Sequence, residues 1–349
     1  MINIGIVGLG FMGYTHYTAS HKLRGGKVTA IATRDAKKRA GDWTSIQGNF
    51  GPRGGQVDLS RIRVYGDHRE LINDPEIHLV DICLPTDMHE QVVGEVIAAG
   101  KHVLVEKPIA VDLKAADRMV KAAEKAGVLL MVGHVLPFFP EFKFAADMVH
   151  SGKHGKLLGA HFKRVIAPPD WSGGMSDFRK LGGWGIDLHI HDNHFISLLC
   201  GRPEQVFSRG LLVDGFVNHV QSSYVFSNSG PAVTCVSGGI AAKGHQFAHA
   251  FEIYLEKATL LFAAGTIGGE AVVDRPLTVI TQQDGKSREV RPKGGDEWYA
   301  AFTGELQSAI KAVKDKQVSP ILSGALARDA LKLCYAEAKS IATGKPVAV

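Results

Sequence analysis

The sequence has few cysteines, and none is placed for joint work. Cys83, Cys200, Cys235 and Cys334 are the four in 349 residues. They lie far apart and show no metal-ligand spacing, which excludes a disulfide scaffold and fits reduced core thiols in the cytoplasm. No apolar run reaches the ~20 residues that cross a bilayer, so no membrane partner is expected. The N-terminus lacks a basic region, an apolar core and a small-residue cleavage site, so an export signal is not expected. Runs of one charge are also missing. The formal charge of +5 and the pI near 8.9 come from scattered basic residues. That balance suits an anionic cofactor and argues against nucleic acid. No internal repeats or low-complexity segments stand out.

What is present is a full core: 45% hydrophobic and 21% charged residues over a length that suits one very large domain or two ordinary ones. The chain opens with an apolar strand, residues 2–7, that runs into Gly8-x-Gly10-x-x-Gly13. In a dinucleotide-binding turn, Gly8 makes the tight bend and Gly10 admits a pyrophosphate. Gly13 lets the following helix pack close, and that helix's first N–H groups, around Phe11 and Met12, hold the phosphates. With 40 glycines in the chain, the motif gains its weight from the strand before it and the helix after it.

Strands and helices then alternate: strands at 27–33, 63–65, 78–84, 102–106 and 128–132, with a helix over 35–46 and another capped by Asp112 and ended by Gly127. This predicts a doubly wound parallel sheet, a Rossmann domain over 1–133. The loop 47–55 would enter the third strand from its N-terminal end, opposite the cofactor face, as a spacer or interface. From 134 to 349 the pattern is that of an α+β domain. Strands follow one another at 157–166, 205–213, 219–227, 231–238, 247–256, 258–264, 271–281 and 287–291, which predicts a large, open, mostly antiparallel sheet. One helix is expected over 185–199. Two more, 296–317 and 322–343, close the chain, with packing back on the first domain open to them.

Twenty residues after Gly13, where an NAD site wants a carboxylate for the ribose 2′-OH, stand Thr33 and Arg34. A hydroxyl beside a guanidinium, with Lys37 and Lys38 near, suits a 2′-phosphate and favours NADP over NAD, although Asp35 also lies within reach. Glu106-Lys107-Pro108 ends a strand on the cofactor face, where Lys107 is placed to polarise a substrate oxygen. The alternative is a lysine snorkelling at a strand end. Leu84, Pro85 and Thr86 make a tight turn that reaches the nicotinamide ribose, and His89 either joins it or caps a helix. His134 follows the last parallel strand. Asp187 and His191, four apart on one expected helix, are spaced to orient and move a proton. With His194 they also make a rival metal set. Asp170 and Trp171 sit in a loop suited to a polyol, a ring to stack on and a carboxylate for hydroxyls.

These elements, in order, resemble those of the glucose–fructose oxidoreductase, inositol dehydrogenase and MocA family: the glycine turn, Leu84-Pro-x-x-x-His89, Glu106-Lys107-Pro108, and Gly182-Gly-Trp-Gly-Ile-Asp187-x-x-x-His191. The resemblance covers essentially the whole chain, including the ending 340–347. It implies an NAD(P)-dependent oxidoreductase acting on a secondary alcohol or ketone of a sugar, cyclitol or derivative. Lys107, Asp187 and His191 are then its catalytic residues, and a homodimer or homotetramer forms through the open sheet. Three positions depart from the family pattern: His194 stands where an aspartate is common, His189 where a small residue is common, and Gly133-His-Val-Leu-Pro137 lacks an expected arginine. They fall around the pocket and bear on substrate. Two other classes stay in view. One is a cofactor-binding regulator without catalysis; the other is a metal-dependent lyase or epimerase using the histidine-rich helix.

Overall fold

The structure, a computed structural model, describes residues 1–168, 182–227, 230–283, 285–295 and 297–349. These form two compact units, Met1–Phe138 with Gly294–Arg328, and Phe139–Lys293 with Asp329–Val349.

The first unit is built on β1 (Ile2–Val7), β2 (Gly26–Ala32), β3 (Arg63–Tyr65), β4 (Leu79–Ile82), β5 (His102–Glu106) and β6 (Leu130–Gly133). All pair in parallel, in the order β3-β2-β1-β4-β5-β6. That is the doubly wound order, whose switch point lies between β1 and β4. Strands β4 and β6 are buried along their whole length, which is why neither alternates apolar with exposed polar residues; the one charged residue in them, Asp81 of β4, is itself fully buried. Helices α1 (Phe11–Ser20), α2 (Ala36–Arg39), α3 (His68–Asn73), α4 (His89–Ala98) and α5 (Leu113–Ala126) connect them. Helix α5 starts where the Asp112 side chain accepts the Lys114 N–H, and stops at Gly127, with φ of 67°. From later in the chain comes α9 (Ala300–Asp315), whose Phe302, Leu306, Ile310 and Val313 share a core with Ile4, Leu79, Leu104 and Met131.

Two expectations for this unit are corrected. The helix expected over 35–46 ends at Arg39, and Gly41 takes a φ of 90°. Trp43 instead goes fully into the core, 4.8 Å edge-on from Tyr17, and burial of so large a ring outweighs a few residues of helix propensity. The 47–55 loop does not stay at the far end of the sheet. Phe50 lies 4.7 Å edge-on from Phe11 and stacks 5.7 Å from Phe302. It therefore reaches the first residue of α1, beside the glycine turn, drawn by an aromatic cluster that single positions in the sequence do not reveal.

The second unit carries α6 (Pro140–His150), α7 (Gly183–Asp187), α8 (Ile190–Cys200) and the Asp329–Thr343 part of α10 (Gly324–Thr343). Its strands are β7 (Leu157–Ile166), β8 (Gln205–Val213), β9 (Phe216–Val225), β10 (Ala232–Gly239), β11 (His245–Leu255), β12 (Ala258–Ile267), β13 (Glu270–Thr281), β14 (Ser287–Glu289) and β15 (Val347–Ala348). The nine form one sheet, β14-β13-β12-β11-β7-β10-β9-β8-β15. Within this sheet, among the described residues, only β7 and β10 pair in parallel; the rest are antiparallel. Phe142, Phe162, Phe195 and Phe251, all fully buried, join α6 and α8 to the sheet in edge-to-face contacts. The two-residue β15 was not foreseen; it is too short to leave a strand pattern.

Candidate active site

The glycine turn is shaped as its three glycines require. Gly8 has a φ of 96°, and a Cβ there would lie 2.6 Å from the Cys83 carbonyl oxygen. At Gly13 a Cβ would lie 2.0 Å from the Gly8 oxygen, so the α1 entry closes only on glycine. Gly10 differs: nothing lies within 4 Å of its Cβ position. The space is open on the ligand side, and α1 begins there with no side chain capping its first N–H groups. A cradle that a Cβ would fill, at an uncapped helix N-terminus, fits a pyrophosphate.

The end of β2 is held by side chains. Arg39 donates from Nη1 to the carbonyls of Thr33 at 2.9 Å and Arg34 at 2.7 Å. Asp35 accepts from the backbone of Lys37 and Lys38 as the cap of α2, so its carboxylate is engaged locally. Arg34 is exposed and Thr33 half-buried. Lys38 Nζ donates 2.7 Å to the Leu9 carbonyl, which brings its charge to the glycine turn. Arg39 was not singled out from the sequence; its task is backbone hydrogen bonding, which leaves no motif.

Beyond β4, Leu84 is half-buried, Pro85 is exposed, and Thr86 opens a single 3₁₀ turn. His89 was expected among the cofactor contacts. Here it is fully buried, with Nδ1 3.0 Å from the Pro108 carbonyl and Nε2 2.9 Å from that of Leu84. It straps the turn after β4 to the turn after β5, and burial holds its pKa below the usual value. Glu106 is buried and Lys107, at the end of β5, half-buried. Glu106 Oε2 accepts the Lys107 backbone N–H at 3.1 Å. His134 is fully buried after β6.

In the second unit, Asp187 and His191 do not share one continuous helix. Asp187 ends α7, and His191 is the second residue of α8, after a turn at Leu188 and His189. Helix α7 is seated on the sheet: a Cβ at Gly185 would lie 2.7 Å from Val217, and one at Gly239 would lie 2.5 Å from Trp184 Nε1. Helix α8 turns away so that His189 can be buried. Its Nε2 pairs with Glu337 Oε1 at 2.9 Å. Glu337 also accepts from Asn193, Ser222 and Tyr224 at 2.7, 2.6 and 3.0 Å. Asp192 takes both of its oxygens to Arg164 Nε, at 3.1 and 3.0 Å. From residue 182 to residue 197 every residue is buried except Asp187 and His191. His194 is fully buried. Among the described residues, the clusters of three or more donors close enough for a metal ion do not include Asp187, His191 or His194. Asp170 and Trp171 lie outside the described residues.

Comparison with known proteins places this geometry. Residues 2–134 match the model of the "oxidoreductase family, NAD-binding Rossmann fold", that of glucose–fructose oxidoreductase, inositol dehydrogenase and MocA. Myo-inositol 2-dehydrogenase of Thermotoga maritima is 27% identical, with 97% of this chain and 96% of that protein covered. Over residues 2–134 the chain carries that family's nucleotide-binding domain. A relative named for reduction also matches: 1,5-anhydro-D-fructose reductase of Ensifer adhaerens is 27% identical over 69% of this chain and 72% of that one. In fold, levoglucosan dehydrogenase in complex with NADH and L-sorbose superposes with a TM-score of 0.81 at 20% identity, over 100% of this chain and 98% of that one. The Rossmann match and the full-length likeness to a dehydrogenase make the protein an NAD(P)-dependent oxidoreductase, with a Rossmann sheet and a second, mostly antiparallel one.

Proposed function

We propose that the protein oxidises a secondary alcohol of a sugar, cyclitol or related polyol, or reduces the matching ketone, by direct hydride exchange with NADP. The class, a dehydrogenase acting on CH–OH groups, comes with these likenesses. The finer reading rests on one observation: Asp187 and His191 are the two residues that keep exposed surface in an otherwise buried run of the second unit. Burial is the default for such a segment. A carboxylate and an imidazole held at the surface by a fully buried scaffold are placed for contact with a ligand.

In this reading the cofactor supplies the hydride acceptor or donor. His191 takes the substrate hydroxyl proton during oxidation and returns it during reduction. Lys107 holds the reacting oxygen, and Asp187 orients and assists. Residues 1–133 serve the cofactor and 134–349 the substrate, with His134, Asp170 and Trp171 on the substrate side. The nucleotide contacts are Gly8, Gly10, Phe11, Met12, Gly13, Leu84, Pro85, Thr86 and the backbone of Glu106. Thr33, Arg34 and Lys38 surround the ribose 2′ position, and the exposed guanidinium of Arg34 supports a phosphate there. The assembly is a cytoplasmic homodimer or homotetramer through the open sheet. No helix among the described residues is long and apolar enough to cross a membrane.

The test is a polyol and keto-sugar panel run with both cofactors. His191→Ala and Lys107→Ala should each lower kcat on the substrate found by ~100-fold or more, with folding and nucleotide affinity retained. Normal turnover in either variant would overturn the assignment. For the cofactor, nicotinamide fluorescence titration should show tighter NADPH than NADH binding, and Arg34→Ala should remove the difference. Tighter NADH binding by the unaltered protein would sink the phosphate reading.

A further inference from the structure

The turn that carries Lys107 rests on a buried charged cluster that the proposed reaction does not use. Its centre is His16 of α1, fully buried. His16 Nδ1 lies 2.9 Å from Asp81 Oδ2 on β4. Nε2 lies 3.1 Å from Glu106 Oε1 on β5 and 3.6 Å from Glu305 Oε1 on α9. The Nε2 contacts are ionic rather than aligned hydrogen bonds, and neither Glu305 oxygen has a hydrogen-bond partner. Cys83 Sγ is 3.6 Å from Nδ1, and the Phe302 ring covers the imidazole at 5.9 Å. From β6 comes Gly133, where a Cβ would lie 3.3 Å from both Glu106 Oε1 and Glu305 Oε1, with buried His134 next in sequence.

Chemistry assigns the charges. A neutral imidazole has one N–H and one lone pair. With carboxylates at both nitrogens, either neutral tautomer would turn its lone pair on an anion, so the ring is doubly protonated. Three ionised carboxylates buried around that one cation would repel each other more than it could offset. Glu305 makes no hydrogen bond that favours its ionised form, whereas Asp81 is hydrogen-bonded to His16 and Glu106 to the Lys107 amide, so the shared proton belongs on Glu305. The pKa directions agree. Burial pulls His16 down, but Asp81 and Cys83 raise it well above its ordinary value. Burial, with Glu106 and Asp81, raises Glu305 well above the carboxylate range against the pull of His16.

We propose that His16 and Glu305 are positioning residues for Lys107: the His16 imidazolium clamps one oxygen of Glu106, whose other oxygen holds the Lys107 backbone N–H, and Glu305 fills the cluster as a neutral acid. The inference takes the role of Lys107 from the function proposed above, but the cluster can be judged without turnover.

The experiment is NMR of the intact protein with ¹⁵N-labelled histidine and backbone amides, beside kinetics on the substrate found. The His16 nitrogens, assigned with His16→Gln, should carry the imidazolium signature at pH 8, and the Lys107 amide should be protected from exchange. Glu305→Gln, the neutral isostere, should keep both and hold kcat within about twofold, because a misplaced group is what costs rate. Glu305→Ala should loosen the Lys107 amide and lower kcat ~10-fold or more, with nucleotide affinity little changed. A neutral His16 at pH 7, a Glu305→Gln variant as impaired as Glu305→Ala, or a stoichiometric metal ion in the purified protein would each overturn the proposal. If no substrate is turned over, the hydride-transfer reading fails, while the imidazolium signature and the Gln–Ala contrast in Lys107 exchange still decide the cluster.

Discussion

At the residue scale, the glycine turn separates two kinds of constraint that look alike in sequence. Gly13 is glycine because the protein's own backbone leaves no room, with a Cβ 2.0 Å from the Gly8 oxygen; Gly10 is glycine although nothing within 4 Å would object. The two alanine variants should therefore fail differently. Gly10→Ala should melt within a degree or two of the unaltered protein yet bind nucleotide at least ~10-fold more weakly, a loss of ~1.4 kcal/mol. Gly13→Ala should lose stability first, by ~1–3 kcal/mol as the strand-to-helix entry is forced open. Differential scanning fluorimetry with and without NADPH reads both. The same scale marks how far motifs carry. Lys107, Asp187 and His191 stand out in the sequence because reactive residue types sit at recognisable spacings. His16 and Glu305 do not: they are 289 positions apart by number and meet only through α9, and nothing local marks either as charged in a core. His89 shows the converse, a motif position whose ring nitrogens serve backbone carbonyls.

At the element scale, strands and helices were legible where burial imposes a period, and boundaries were lost where a long-range partner overrode local preference. The helix expected over 185–199 breaks in two because α7 must lie flat on the sheet through Gly185 while α8 must present His189 to Glu337. That contact also accounts for the histidine at position 189. His189 faces α10 and the sheet, inside a network of Asn193, Ser222 and Tyr224, and is not a pocket residue of its own. Burial raises the Glu337 pKa, but the His189 charge and its hydrogen bonds outweigh this and hold it below the usual range. Burial lowers that of His189, which Glu337 reverses. Removing one partner strands the other charge. Glu337→Ala should cost ~3–5 kcal/mol in chemical denaturation. A His189→Leu/Glu337→Met double variant should recover part of that loss, because two apolar groups leave no buried charge uncompensated. Equal or greater loss in the double variant would mean that the network specifies the fold beyond its pairwise charge. With α8 as the support of His191, Glu337→Ala should also lower kcat more than it raises KM.

At the scale of the whole molecule, buried ionisable groups pull stability in opposite directions along the pH axis. In the first unit, His16 and Glu305 have raised pKa values. Each binds its proton more readily folded than unfolded, so the stability it lends is full below its unfolded pKa and drains as pH rises towards the folded one. For Glu305 that loss starts near the ordinary carboxylate range, and Glu305→Gln should therefore stabilise the protein increasingly as pH rises above ~4.5. For His249 of the second unit the sign is opposite. His249 lies in the aromatic cluster, 5.6 Å from Phe142 and 5.4 Å from Phe262. Burial, with the charge of Arg164, lowers its pKa to about 3. Above ~6.5 the ring is neutral folded or unfolded and contributes no pH dependence. Below that, the unfolded chain takes up a proton that the folded unit refuses, and stability falls by up to ~1.4 kcal/mol per pH unit until the folded pKa is reached. His249→Phe keeps an aromatic ring among Phe142, Phe247 and Phe262 and removes the titration. Denaturation free energies measured from pH 7 down to pH 4 should fall less steeply in this variant, by close to one proton's worth of slope, while the two proteins keep parallel profiles above pH 7. Parallel profiles across the whole acid range would mean that His249 is protonated in the folded state. The aromatic pocket would then be wetter than its packing implies.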